Sequence, residues 1–79
     1  MDEKPIPLTQ LPISKRGRII GLDGGQGFKK KLRAMGIKEG QIIKVVTKQP
    51  FRGPVTIAFF SCQMTLGRGM ADKITVEVI

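Results

Sequence analysis

The sequence predicts a mainly β domain, a small and strongly bent barrel of about five strands with one short α-helix between the first and second strands. Three observations carry that expectation. Apolar and polar residues alternate over several short stretches, as in Val55, Ile57 and Phe59, which is the period-2 signature of half-buried strands. Glycines and prolines punctuate those stretches at close intervals. Phe28, Leu32 and Met35 follow the helical spacing i, i+4, i+7 and so stack on one helix face. With 79 residues there is room for one domain.

Residues 1–7 carry charge and two prolines and read as a flexible lead-in to a single domain over residues 8–79. Leu8 and Leu11 fit one turn that plugs an end of the core, and Pro12 stops it. The first strand is expected at Arg18–Leu22. Gly21 inside it suggests a bulge that turns both Ile19 and Leu22 inward. A glycine-rich loop then leads to the helix. At about 100° per residue, Lys29, Lys30 and Arg33 point to water, while Lys31 borders the apolar face.

Gly36 is the natural stop for that helix, because ending there needs a left-handed backbone. Ile37 then falls where a Schellman ending puts an apolar residue against Leu32. Gly40 turns the chain into a second strand, Gln41–Lys48, with Ile43 and Val45 inward. Pro50 and Pro54 bound a turn with Phe51 at its tip. A third strand follows, a turn at Ser61–Cys62, and a fourth strand marked by Met64 and Leu66. Gly67–Asp72 reads as a tight turn, at most one turn of 3₁₀ helix. Lys73–Ile79 is the fifth strand, and its end offers an edge for a second copy, a route to a weak homo-oligomer. An OB-fold also has five strands, but its helix usually lies between the third and fourth. The helix position here favours an SH3-like barrel.

Fourteen Lys and Arg against six Asp and Glu give a net charge of +8, which suits an anionic partner or simple solubility. The one dense basic cluster is Lys29–Arg33. With no histidine, the common general base and the partner that activates a nucleophile are missing, so catalysis is not expected. The single cysteine, Cys62, excludes an intrachain disulfide, and the absence of histidine excludes a conventional zinc site. Met35, Met64 and Met70 read as apolar residues before thioether ligands, so no metal site and no cofactor is evident. The Gly24–Gly27 loop matches neither phosphate-binding fingerprint and reads as a turn. No apolar run is long enough to insert in a membrane and the start lacks a secretory signal, so the cytoplasm is the expected compartment. Phe51, followed by Arg52, either folds over the barrel end or serves as a contact hot spot.

Leu32-Arg-Ala-Met-Gly-Ile-Lys-Glu-Gly40, the loop between Pro50 and Pro54, and Met64-Thr-Leu66 with Ala71 and Ile74-Thr-Val76 fall in register without gaps. Together they resemble the FeoA family, ferrous iron transport protein A, from about Leu8 to Val76. Glu39 stands where that family often has Pro, and Arg52-Gly53 replaces a common Gly-Asp. The resemblance implies an SH3-like accessory protein of bacterial ferrous iron uptake. It implies a cytosolic partner surface on FeoB, the membrane transporter with a GTP-binding domain, and links the chain to ferrous iron. On the residues, the expected docking surface combines Lys29, Lys30 and Arg33 with Phe51 and Arg52. Phe28, Leu32, Met35, Gly36, Ile37 and Gly40 are expected to form the helix stop and its core contacts. Two alternatives stay open. One is a regulatory module like the C-terminal domain of iron-dependent repressors. The other is a basic nucleic-acid binder, which is not expected because base-stacking surface aromatics are too few.

Overall fold

The computed structural model describes residues 4–79. Six antiparallel strands form one sheet: β1 (Ile6–Pro7), β2 (Arg16–Leu22), β3 (Ile42–Lys48), β4 (Val55–Phe59), β5 (Cys62–Leu66) and β6 (Ile74–Val78). Their order across the sheet is β1-β6-β2-β3-β4-β5. Helix α1 (Gln26–Ala34) joins β2 to β3, and a single turn of helix, α2 (Arg68–Ala71), joins β5 to β6. A 3₁₀ turn at Leu8–Gln10 buries Leu8, with Leu11 buried just after it, as the plug reading requires.

Among the described residues there are therefore six strands where five were expected. The additional one is β1, where Ile6 and Pro7 pair with Val76 and Thr75. These two residues come from the stretch read as a lead-in, whose residues 1–3 lie outside the described ones. Two residues carry no period, so only the partner strand reveals them. β6 is also not an edge. It lies between β1 and β2, and the edges are β1 and β5. The second-copy pairing expected at the last strand thus has no open ladder there, since Ile79 N–H already donates to the Arg16 carbonyl.

The core follows the alternation. Ile43 and Val45 of β3, Val55, Ile57 and Phe59 of β4, and Ile74 and Val76 of β6 are buried on one face. The β2–β6 register shifts between Ile19 and Gly21, so Ile19 and Leu22 are both buried while Ile20 is turned outward. Gly17 is needed at its place, because a Cβ there would meet Leu11 at 3.1 Å and Val76 at 3.2 Å.

Helix α1 stops as its sequence dictates. Gly36 takes φ 95°. Its N–H donates to the Arg33 carbonyl at 3.0 Å, and Ile37 N–H donates to the Leu32 carbonyl at 2.9 Å. These are the two hydrogen bonds of a Schellman motif, and they satisfy carbonyls that the helix end would otherwise leave unpaired. Leu32 and Ile37 are fully buried in the core, with Phe28 and Met35 packed against it. Lys31 is exposed and Lys29 half-buried, the reverse of the pattern expected at the border of the apolar face. Gly36→Ala is expected to lower stability by about 1–2 kcal/mol, because the left-handed backbone disfavours a Cβ. Denaturant unfolding with an unchanged m-value would report it.

Candidate docking surfaces

Two exposed turns stand out at opposite ends of β4. The first joins β3 to β4. Gly53 N–H donates to the Pro50 carbonyl at 3.1 Å, closing a turn around Phe51 and Arg52. Both central residues are left-handed, with φ 57° and 63°. That is the backbone of a type I′ turn, whose twist suits a hairpin and whose usual occupants are Asn and Gly. Bulky residues there cost roughly 1 kcal/mol or more each. Gly53 cannot be replaced freely, because a Cβ would lie 2.5 Å from that of Gln49. The Phe51 side chain does not fold over the barrel end: the residue is 97% exposed. Arg52 lines a polar recess of about 420 Å³ with Thr9, Gln10, Arg68 and Asp72. Its floor is braced by the Thr9 hydroxyl on Asp72 at 2.5 Å and by Lys48 Nζ donating to the Thr9 carbonyl at 2.9 Å.

The second turn joins β4 to β5 and consists of Phe60 and Ser61, one residue earlier than the Ser61–Cys62 turn the sequence suggested. Phe60 has φ 54° and is 90% exposed. Its ring meets Phe59 edge-on, with centroids 6.2 Å apart. With Lys38, Glu39, Gly40, Gln41 and Ile42 it lines a cleft of about 530 Å³. Sequence reasoning missed Phe60 as a surface residue. The available signal was phase: if Val55, Ile57 and Phe59 point inward, the next residue points out.

Of the helix cations, Arg33 near the C-terminal end of α1 lies toward this second turn, through its pairing with Glu39 of the cleft. A Cβ at Gly36 would sit 3.5 Å from the Phe59 ring. Arg33 faces Glu39 at 3.5 Å, a solvent-exposed pair that contributes little by itself. At the other end of the helix, Lys73 Nζ lies 5.0 Å from the centre of the Phe28 ring. Arg33 and Arg52 therefore belong to different neighbourhoods, one beside the Phe60 cleft and one in the polar recess.

Gln41 is a further feature of the cleft. It is 8% exposed, and its amide nitrogen and oxygen have no hydrogen-bond partner among the described residues. Cys62 is exposed as a free thiol. Among the described residues no three His, Cys, Asp or Glu side chains converge on a possible metal position. No helix among them is long and apolar enough to cross a membrane.

The FeoA domain model matches residues 6–78, nearly the whole chain. The chain belongs to the FeoA family. A Methanocaldococcus jannaschii protein named as Fe(2+) transport protein A is 41% identical over 70 residues, covering 85% of this chain and 83% of that protein. A Porphyromonas gingivalis protein named as a fusion of Fe(2+) transport protein A with the Fe(2+) transporter FeoB is 33% identical over 72 residues. That match covers 91% of this chain but 8% of the fusion. The crystal structure of an iron uptake regulatory protein, FeoA, superposes with TM-score 0.87 at 26% identity, covering 96% of this chain and 100% of that one. A manganese-dependent transcriptional repressor shares the fold alone, with TM-score 0.87 at 18% identity over 100% of this chain and 44% of its own. The expected SH3-like architecture is thus that of the family.

Two outcomes follow from the local geometry. Replacing Phe51 with Asn and Arg52 with Gly relaxes a left-handed turn, so the double variant should gain about 1–2 kcal/mol in denaturant unfolding. Gln41→Leu removes a buried amide that nothing in the described chain satisfies, and should raise stability by about 1–3 kcal/mol. An unchanged or lower midpoint for Gln41→Leu would mean that the amide is satisfied in solution.

Proposed function

We propose that this chain is a non-catalytic, cytoplasmic accessory domain of ferrous iron uptake that docks on the cytosolic side of an FeoB-type transporter and modulates it. The observation that carries this reading is the fusion relative, in which an FeoA segment and FeoB share one polypeptide. A covalent link holds two modules at high effective concentration, which favours partners that work in contact. Ferrous iron enters as the transporter's cargo, with no resident site required on this chain.

The residues assigned to docking are Lys29, Lys30 and Arg33 on α1 and, in a separate neighbourhood, Phe51 and Arg52, so a partner that engages all of them makes two contacts with the domain. What supports Phe51 is its near-complete exposure on a backbone that disfavours it. A strained, exposed aromatic beside an arginine has the composition of a binding hot spot. What supports the helix cations is their density within a chain of net charge +8.

Titration calorimetry against the cytosolic GTP-binding domain of the transporter from the same organism tests the reading. It would be run with GDP and with a non-hydrolysable GTP analogue, then repeated with the full-length transporter in detergent. Saturable binding at micromolar affinity or tighter is expected. Charge reversal at Lys29 and Arg33 combined with Phe51→Ala should weaken it by at least about tenfold. Heat-free titrations with both transporter forms would overturn the docking reading, and full binding by the triple variant would overturn this surface.

A further inference from the structure

We infer that the Phe60 cleft and the strand surface beside it form a second docking site, which takes an apolar side chain carried on an acidic protein segment. The inference rests on the accessory reading for its biological partner and adds the chemistry of what that partner presents.

The register assembles the site. Lys44 of β3 stands opposite Ala58 of β4, and stepping two residues along each strand brings Ile42 toward Phe60. Both line the same cleft, and Ile42 is 43% exposed. Phe60 therefore does not stand alone: it and Ile42 form an apolar pair above the sheet. As at the first turn, the aromatic occupies a left-handed position that Asn or Gly would hold at lower cost. Among the described residues, the edge-on touch with Phe59 is the aromatic contact its exposed ring makes.

Charge selects the occupant. On β2 and β3, Arg18 stands opposite Ile42, and Arg16 stands directly opposite Lys44. Like charges placed directly across a ladder repel. Among the described residues Arg18 pairs with Glu77 and Arg33 with Glu39, and neither Arg16 nor Lys44 has an acidic partner. Lys38 adds a cation at the cleft itself. Glu39, the one acid lining the cleft, is turned to Arg33. A carboxylate-bearing segment running from the cleft along β3 relieves the Arg16–Lys44 repulsion, while its apolar residue covers Phe60 and Ile42. Nucleic acid fits less well, because single-strand binding uses successive stacking aromatics and Phe60 is the one aromatic lining this cleft.

The test uses the intact protein immobilised against a random peptide library displayed on phage, with (dT)12 as a separate ligand. Enriched peptides should share acidic residues around one aromatic or aliphatic position. Phe60→Asn, which suits the left-handed turn and keeps the fold, should weaken a selected peptide about tenfold or more. Lys44→Glu with Arg16→Glu should do the same and flatten the salt dependence. Thermal unfolding of each variant separates lost contacts from lost fold.

Enrichment of basic or neutral peptides, no enrichment, or (dT)12 binding tighter than any peptide would overturn the inference. So would peptide affinities indifferent to Phe60→Asn and to the paired charge reversal. The two readings fail separately. Transporter binding that survives Phe60→Asn and the Lys44/Arg16 reversal removes this site and leaves the accessory reading standing. Acidic-peptide binding without any transporter binding does the opposite.

Discussion

The fold depends on how the chain is held where the helix hands over to the sheet. Gly40 N–H donates to the Ile19 carbonyl at 2.7 Å, and Ile19 N–H donates to the Gln41 carbonyl at 2.8 Å. These two bonds pin the end of the helix-to-strand loop to the middle of β2. They are possible because Gly36 and Gly40 both take left-handed backbone, with φ 95° and 89°. The first reverses the chain at the helix end and drops Ile37 into the core. The second aims Gln41 and Ile42 into the ladder with Ile43 inward. A chain that left the helix at another angle would shift β3 by a residue and turn Ile43 and Val45 to water. The cleft beside Phe60 is built on the same five-residue handover, so its shape is inherited from the helix stop.

Stability and surface chemistry pull apart at the two ends of β4. Inside, the sequence follows ordinary packing rules: β-branched and aromatic residues alternate, and the buried set forms one cluster. At the turns it departs from them. Phe51, Arg52 and Phe60 all occupy left-handed positions without being glycine or asparagine. Such conformations persist when the surrounding structure over-determines them, as the closed Pro50–Gly53 turn and the paired ends of β4 and β5 do here. Local preference and the exposed chemistry disagree at these positions, while they agree nearly everywhere else. That contrast is the physical reason to look for partners at the turns.

Much of this was legible in the sequence because it is local. The helix stop needs only Gly36 and its neighbours, and the β2 bulge needs only Gly21 between two buried apolar residues. The one-turn plug at Leu8 follows from two leucines and a proline. What was hidden is what depends on distant partners. β1 is two residues long and exists because β6 offers Val76 and Thr75. The edge at β5 follows from strand order, which alternation does not encode. Phe60 was passed over although the phase of Val55, Ile57 and Phe59 already turned it outward; what the sequence did not show is that it sits in the turn itself, on left-handed backbone. Of the site residues, the exposure of Phe51 was one of two readings the sequence allowed. The separation of Arg33 from Arg52 required the fold.

The comparison with other proteins sharpens where individuality lies. A repressor at 18% identity keeps this fold, so the architecture tolerates wide change in sequence. Function is then carried by what each chain places on the shared frame. Here the frame carries two left-handed aromatics and a pair of cations facing each other across β2 and β3. Neither the aromatics nor the facing cations help the isolated domain, since the first strain the backbone and the second repel. Both costs fall on the free protein; an acidic surface laid against it would offset the repulsion, and an apolar one would cover the exposed rings without changing the backbone. The features that fold stability least explains are therefore the ones that describe the complementary surface.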